Sequence, residues 1–144
     1  FQIVMTIYCI EKFKIQIEFL ESRKQYKEIK KDISDYFHGK QIAQLCSGTR
    51  PNNSDVTPYI KKRINGSGGY RLYFLVLIKD NNIYLMFVHP KTGPEGSENI
   101  TDEAKAEFYK IVLSSIQSQE LYEVDTNNQT LTFTKVPMQA PKKK

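Results

Sequence analysis

Hydrophobic and polar positions along this chain repeat with periods that assign most of its elements. Phe13, Ile15, Ile17 and Phe19 are separated by Lys14, Gln16 and Glu18. That period of two predicts a half-buried strand. The run before it, FQIVMTIYCI, is apolar for only ten residues. It is too short to span a bilayer and has no cleavage signature, so it too reads as an N-terminal strand. The period then changes. Tyr26, Ile29, Ile33 and the pair Tyr36/Phe37 recur at three and four residues, the buried stripe of a helix. Ser22 is the expected N-cap with Gln25 as capping-box partner, and Gly39 the expected stop. Gln41 to Cys46 predicts a short second helix, and 48–57 has the composition of a surface loop.

Three strands follow: Ile60 to Ile64, Tyr70 to Ile78 and Ile83 to Val88. Asn65 to Gly69 is a glycine-rich hairpin loop between the first two, and Asp80-Asn81-Asn82 a tighter turn between the last two. LYFLVLI and IYLMFV are almost continuously apolar, as central strands covered on both faces are. A polar loop carrying His89, Lys91 and Thr92 comes next. Thr101 caps a last helix, with Asp102 and Glu103 at its positive end and Phe108, Ile111, Val112 and Ile116 at helical spacing. Leu121 to Val124 and Thr130 to Lys135 predict a hairpin. The expected class is α+β: a small, mostly antiparallel sheet (N-terminal strand plus three-stranded meander) packed against helices, with an extra C-terminal hairpin. One domain is expected over 1–136, its core over 13–117. The proline- and lysine-rich residues 137–144 read as a disordered basic tail.

Charge sharpens this picture. The chain carries 21 basic and 16 acidic residues, net +5. Residues 95–125 hold eight of the acidic and two of the basic side chains, leaving the rest at net +11. A basic body suits a polyanionic partner, nucleic acid first, or else is a solvated lysine-rich surface. Cys9 and Cys46 form no CxxC or His/Cys cluster, which fits reduced thiols in a cytoplasmic protein.

The candidate chemistry lies between Pro58 and Thr101. Lys61 and Arg63, two apart on a strand, share a face, while Lys62 points the other way. Arg71, just past the hairpin loop, can approach that face. Cations held together on a sheet can grip a phosphate and offset the charge of a pentacovalent transition state. The competing reading is an edge strand guarded by Lys and Arg against aggregation. His89 can act as acid or base near neutral pH, or can serve as a structural hydrogen-bonding residue. Lys91 can hold a phosphate. His38, at a helix end, fits the helix dipole. Gly66, Gly68 and Gly69 precede a strand and so do not make a phosphate-binding loop. Of the sheet aromatics Tyr70, Tyr73, Phe74, Tyr84 and Phe87, most read as core, with one or two able to stack on bases. No metal-ligand spacing or paired nucleophile motif is present.

With these elements in order, the chain resembles the RelE/HigB/ParE superfamily of toxins from bacterial type II toxin–antitoxin systems. The resemblance covers Phe13 to Ile116 and rests on two stretches. YIKKRI followed by GSGGYRLYF is similar to the family's basic strand, turn and G-Y/F-R strand. VHPKTGPEGSENIT is similar to its loop leading into the last helix. The resemblance implies an mRNA endoribonuclease, ribosome-dependent or free, with no metal and no cofactor. In such enzymes the RNA 2′-hydroxyl attacks the adjacent phosphate. It further implies that Arg71 grips the scissile phosphate and that Lys61 and Arg63 assist base catalysis and charge stabilisation. Lys91 falls where a second basic residue acts, and His89 is placed for an acid–base role. Lys62, Tyr70 and Thr92 are expected RNA contacts. Implied partners are mRNA and a cognate antitoxin, with no membrane. Two departures are visible. Asn99 and Thr101 stand where relatives of this kind often place a tyrosine, and compact members lack the C-terminal hairpin. A non-cutting member of the same fold, either a ParE-like gyrase inhibitor or an antitoxin- or nucleic-acid-binding module, remains the alternative.

Overall fold

A computed structural model describes residues 5–38, 40, 42–45, 59–64, 69–77, 80–90, 101–126 and 130–136. In chain order the elements are β1 (Thr6–Ile10), α1 (Glu11–Glu21), a 3-10 turn (Lys24–Tyr26), α2 (Ile29–Phe37), α3 (Ile42–Leu45), β2 (Tyr59–Ile64), β3 (Tyr70–Leu77), β4 (Asn82–Pro90), α4 (Asp102–Ser118), β5 (Leu121–Asp125) and β6 (Thr132–Lys135). The strands form one sheet in the order β2-β3-β4-β1-β5-β6. All neighbours are antiparallel except β1 and β4, which run parallel. The protein is therefore α+β with a mixed six-stranded sheet. The C-terminal hairpin is an integral third of that sheet, joined through β5 to β1.

Helices cover both faces. On one, Phe37 of α2 meets Phe74 edge-on at 5.7 Å, and Tyr26 meets Tyr70 at 6.5 Å. On the other, Phe108 and Tyr109 of α4 stack on Phe87 at 4.5 Å and on Tyr59 at 5.8 Å. Double coverage is why β3 and β4 read as unbroken apolar runs: Leu72 to Val76 are all fully buried. Thr101 caps α4, its hydroxyl accepting from the Ala104 amide at 3.1 Å. The C-terminal hairpin is tied to the helices by Ser34 Oγ, which donates to Thr126 O at 2.7 Å. The ammonium groups of Lys14 and Lys30 lie over the rings of Tyr122 and Phe133.

The segment Phe13 to Phe19 corrects the expected strand: it is the centre of α1. The helix buries Phe13, Ile17 and Leu20, three and four apart, and leaves Ile15 59% and Phe19 48% exposed. The alternation was real, but helical spacing that included Leu20 outweighed it. Lys14 and Glu18, one turn apart, pair at 3.0 Å. Ser22 follows from this correction. It ends α1 instead of opening a helix, its hydroxyl donating to Phe19 O at 2.6 Å. The expected buried stripe Tyr26, Ile29, Ile33 and Phe37 is buried as read, split between the 3-10 turn and α2. The N-terminal strand is supplied by Thr6–Ile10. Cys9 lies in it, fully buried, and burial pushes its thiol up to about 12, so it stays protonated. The expected stop at Gly39, the loop 48–57, Cys46 and the tail 137–144 lie outside the described residues.

Candidate functional site

The register of β2, β3 and β4 assembles the sequence-predicted cations. Arg63 pairs with Arg71, and Arg71 with His89, so the three side chains form a row across three adjacent strands. One step along, Lys61, Tyr73 and Phe87 form the next row on the same face. This is the α4 face of the sheet. Lys61 and Arg71 are half-buried and Arg63 is exposed.

His89 reaches this row because β4 is irregular. Tyr84 pairs with Leu75 and Leu85 with Phe74, but Phe87 pairs with Tyr73, leaving Met86 as an extra residue. An extra residue reverses the alternation of faces beyond it. Counted in strict alternation from Tyr84, His89 would point to the α1/α2 face. The bulge turns it towards Arg71. The expectation of a loop histidine is corrected accordingly: β4 runs on to Pro90, and His89 is 4% exposed inside it.

The surroundings of His89 set its chemistry. Its ring stacks on Tyr73 at 6.2 Å and 15°, with Phe87 tilted beside it at 5.7 Å. Nδ1 lies 3.2 Å from Pro90 O. A neutral ring with the proton on Nδ1 donates there and leaves Nε2 as the basic nitrogen. Burial lowers the pKa below the usual histidine value. The Pro90 contact opposes this, and the nearby Arg71 and Lys61 cations lower it further. His89 is therefore neutral at pH 7, the form a base requires.

This gives a stability prediction. Above about pH 6.5 the imidazole is neutral in folded and unfolded chains alike. As pH falls below that value the unfolded chain takes up a proton that the folded one resists, so stability drops until the lowered folded pKa is passed. Melting temperatures of wild type and His89→Phe between pH 7.5 and 5 should therefore diverge on the acid side, the wild type falling more steeply. Parallel curves would show that His89 carries no such penalty.

Two donors in this group are left over. Arg71 Nη1 and Tyr73 Oη are buried and have no hydrogen-bond partner among the described residues. Burial pushes the Tyr73 hydroxyl up, and the nearby Arg71 cation partly opposes it. An unsatisfied buried donor costs about 1–3 kcal/mol. Arg63 and Arg71 directly opposite each other add a like-charge repulsion. An anion on this face would relieve both.

Two expected contacts fall elsewhere. Lys62 points to the opposite face, lining a cleft of about 360 Å³ with Asp32, Asp35, Tyr36 and Ile64, and the exposed Arg63 at the sheet edge lines that cleft as well. Tyr70 is on that opposite face too, 1% exposed and against Tyr26, so its ring has no surface to offer a base. Burial pushes its hydroxyl up to about 12. Lys91, Thr92 and Asn99 lie outside the described residues. Sequence reading did not single out Tyr73 as a site residue, although its place two residues beyond Arg71 on β3 was the available signal. Among the described residues no group of three or more His, Cys, Asp or Glu side chains could hold a metal ion, and no helix is long and apolar enough to cross a membrane. The chain matches no protein-family model, no curated protein and no solved structure.

Proposed function

We propose that this protein is a RelE/HigB/ParE-like toxin that cleaves mRNA without a metal or cofactor, on the ribosome or free in the cytoplasm. The observation that carries this reading is the row Arg63–Arg71–His89 with Lys61 beside it, in which Arg71 Nη1 has no partner among the described residues. Two cross-strand arginines repel each other unless an anion lies between them. A phosphodiester is such an anion, and a guanidinium fork matches two of its oxygens.

In this reading Nε2 of neutral His89 takes the proton of the 2′-hydroxyl, and the freed oxygen attacks the adjacent phosphorus. Arg71, with Lys61 and Arg63 at the rim, balances the extra negative charge on the pentacovalent phosphorane. The bond to the 5′-oxygen breaks, that oxygen takes a proton from water, and the protonated His89 returns its proton to solvent. The products are a 2′,3′-cyclic phosphate and a 5′-hydroxyl. A cognate antitoxin would block the face by covering the same cations.

A second reading, a ParE-like or nucleic-acid-binding member that does not cut, is favoured by the burial of His89. One experiment separates the two. Induced expression followed by primer extension, with purified protein incubated with end-labelled RNA in EDTA, should give discrete cuts ending in cyclic phosphate. Intact RNA in both assays, alongside salt-sensitive binding, would leave the non-cutting reading standing.

A further inference from the structure

The parallel partner of β4 runs out before β4 does. β1 pairs with β4 only from Asn82 to Leu85. Past the extra residue Met86, the four residues Phe87 to Pro90 pair with β3 on one side and, among the described residues, with no strand on the other. Val88 in this stretch is fully buried. Its amide would be an orphan donor at the point where β4 presents His89. It is not, because α1 crosses here and Gln16 Oε1 accepts from Val88 N at 3.2 Å. A side-chain amide thus takes the place of the missing strand's carbonyl. The bond falls one residue before His89 and two after the extra residue Met86.

We propose that Gln16 is a positioning residue: its bond to Val88 locks the end of β4 past the bulge and so holds His89 in the row with Arg71. The cleavage part of this inference rests on the nuclease reading above, whereas the placement of His89 does not. A bulged strand end bonded on one side only is free to slip or fray. If it does, the His89 ring leaves its stack on Tyr73 and meets water. The groups that bear electrostatically on the ring are Arg71 of β3 and Lys61 of β2. Tyr73 of β3 stacks on it directly, and Lys12 of α1 lies over Phe108, which in turn stacks on Phe87. None of these is altered by changing Gln16.

The test uses the full chain with Gln16→Leu, which removes the acceptor, and the milder Gln16→Asn, which is one methylene too short to reach. The chain has two histidines, so His38→Gln in each background isolates the His89 imidazole signal in NMR. Expected results are faster hydrogen exchange at the Val88 amide and a His89 titration moved up towards 6.5. If the chain cleaves RNA, kcat should fall by about 10²-fold with KM little changed, as for a misplaced catalytic group. The acid limb of the pH–rate profile should move with the histidine. A His89 titration unchanged in both variants would overturn the inference whatever the chain does to RNA. A shifted titration with wild-type kcat and pH profile would overturn the positioning role in cleavage. A wild type that leaves RNA intact sinks the nuclease reading, and the titration still decides the placement.

Discussion

On the nuclease reading proposed above, Arg71→Ala should lower RNA cleavage by about 10²–10³-fold, the usual cost of removing one preorganised donor from a transition state. It should do so without lowering the melting temperature. Arg71 sits at the centre of the row, opposite Arg63 on one side and His89 on the other. Its Nη1 is buried and bonded to nothing among the described residues. Removing the side chain therefore breaks no hydrogen bond or ion pair among the described residues. It also relieves a cross-strand repulsion and an unmet donor. Activity and stability should part company, which is the mark of a group kept for a ligand. Arg71→Lys keeps the charge but loses the fork and should recover only part of the rate. Lys62→Ala, on the opposite face, should leave cleavage near wild type. Cleavage rates on one RNA, with thermal melts of the same preparations, decide it. A fully active Arg71→Ala protein, or one that loses rate only because it unfolds, would remove the argument for this site.

Phe74→Ala should destabilise the protein by about 3–5 kcal/mol, the range for emptying a buried aromatic position. Against a total of about 5–15 kcal/mol that is a large share. Phe74 is fully buried in β3 and packs edge-on to Phe37 of α2. Its loss opens a cavity between the sheet and the helix that covers it. The register shift of β4 falls between Tyr73 and Phe74, so the cavity opens where the bulge that aims His89 is held. Urea denaturation should show a lower midpoint, and His89 should titrate closer to its ordinary value. Leu113→Ala on α4, a residue 41% exposed, should change stability by no more than about 0.5 kcal/mol. Equal effects at the two positions would mean that this interface does not dominate the core.

How far the fold could be read from sequence depended on whether local spacing was decisive. The meander was legible because β3 and β4 are apolar runs bounded by turn residues, and helix α4 because Thr101, Asp102 and Phe108 mark its start and buried side. The first helix was not. Between Phe13 and Phe19 the residues satisfy both periods. The choice was made by Leu20 joining Phe13 and Ile17 on a buried stripe, and by β1 ending short of β4. That ending lies outside any local window.

The site divides in the same way. The common face of Lys61 and Arg63, and the separation of Lys62, follow from two-residue alternation in one strand and need no partner. The positions of Arg71 and His89 needed the sheet. Their register across a hairpin loop, and a single extra residue at Met86, decide which face each takes. Alternation is a property of one chain segment, but register is set by what the neighbouring strands and helices bury. Sequence therefore determined which residues could carry charge and on what spacing, while tertiary packing decided that they meet, that His89 is buried among rings, and that Gln16 finishes the strand that holds it.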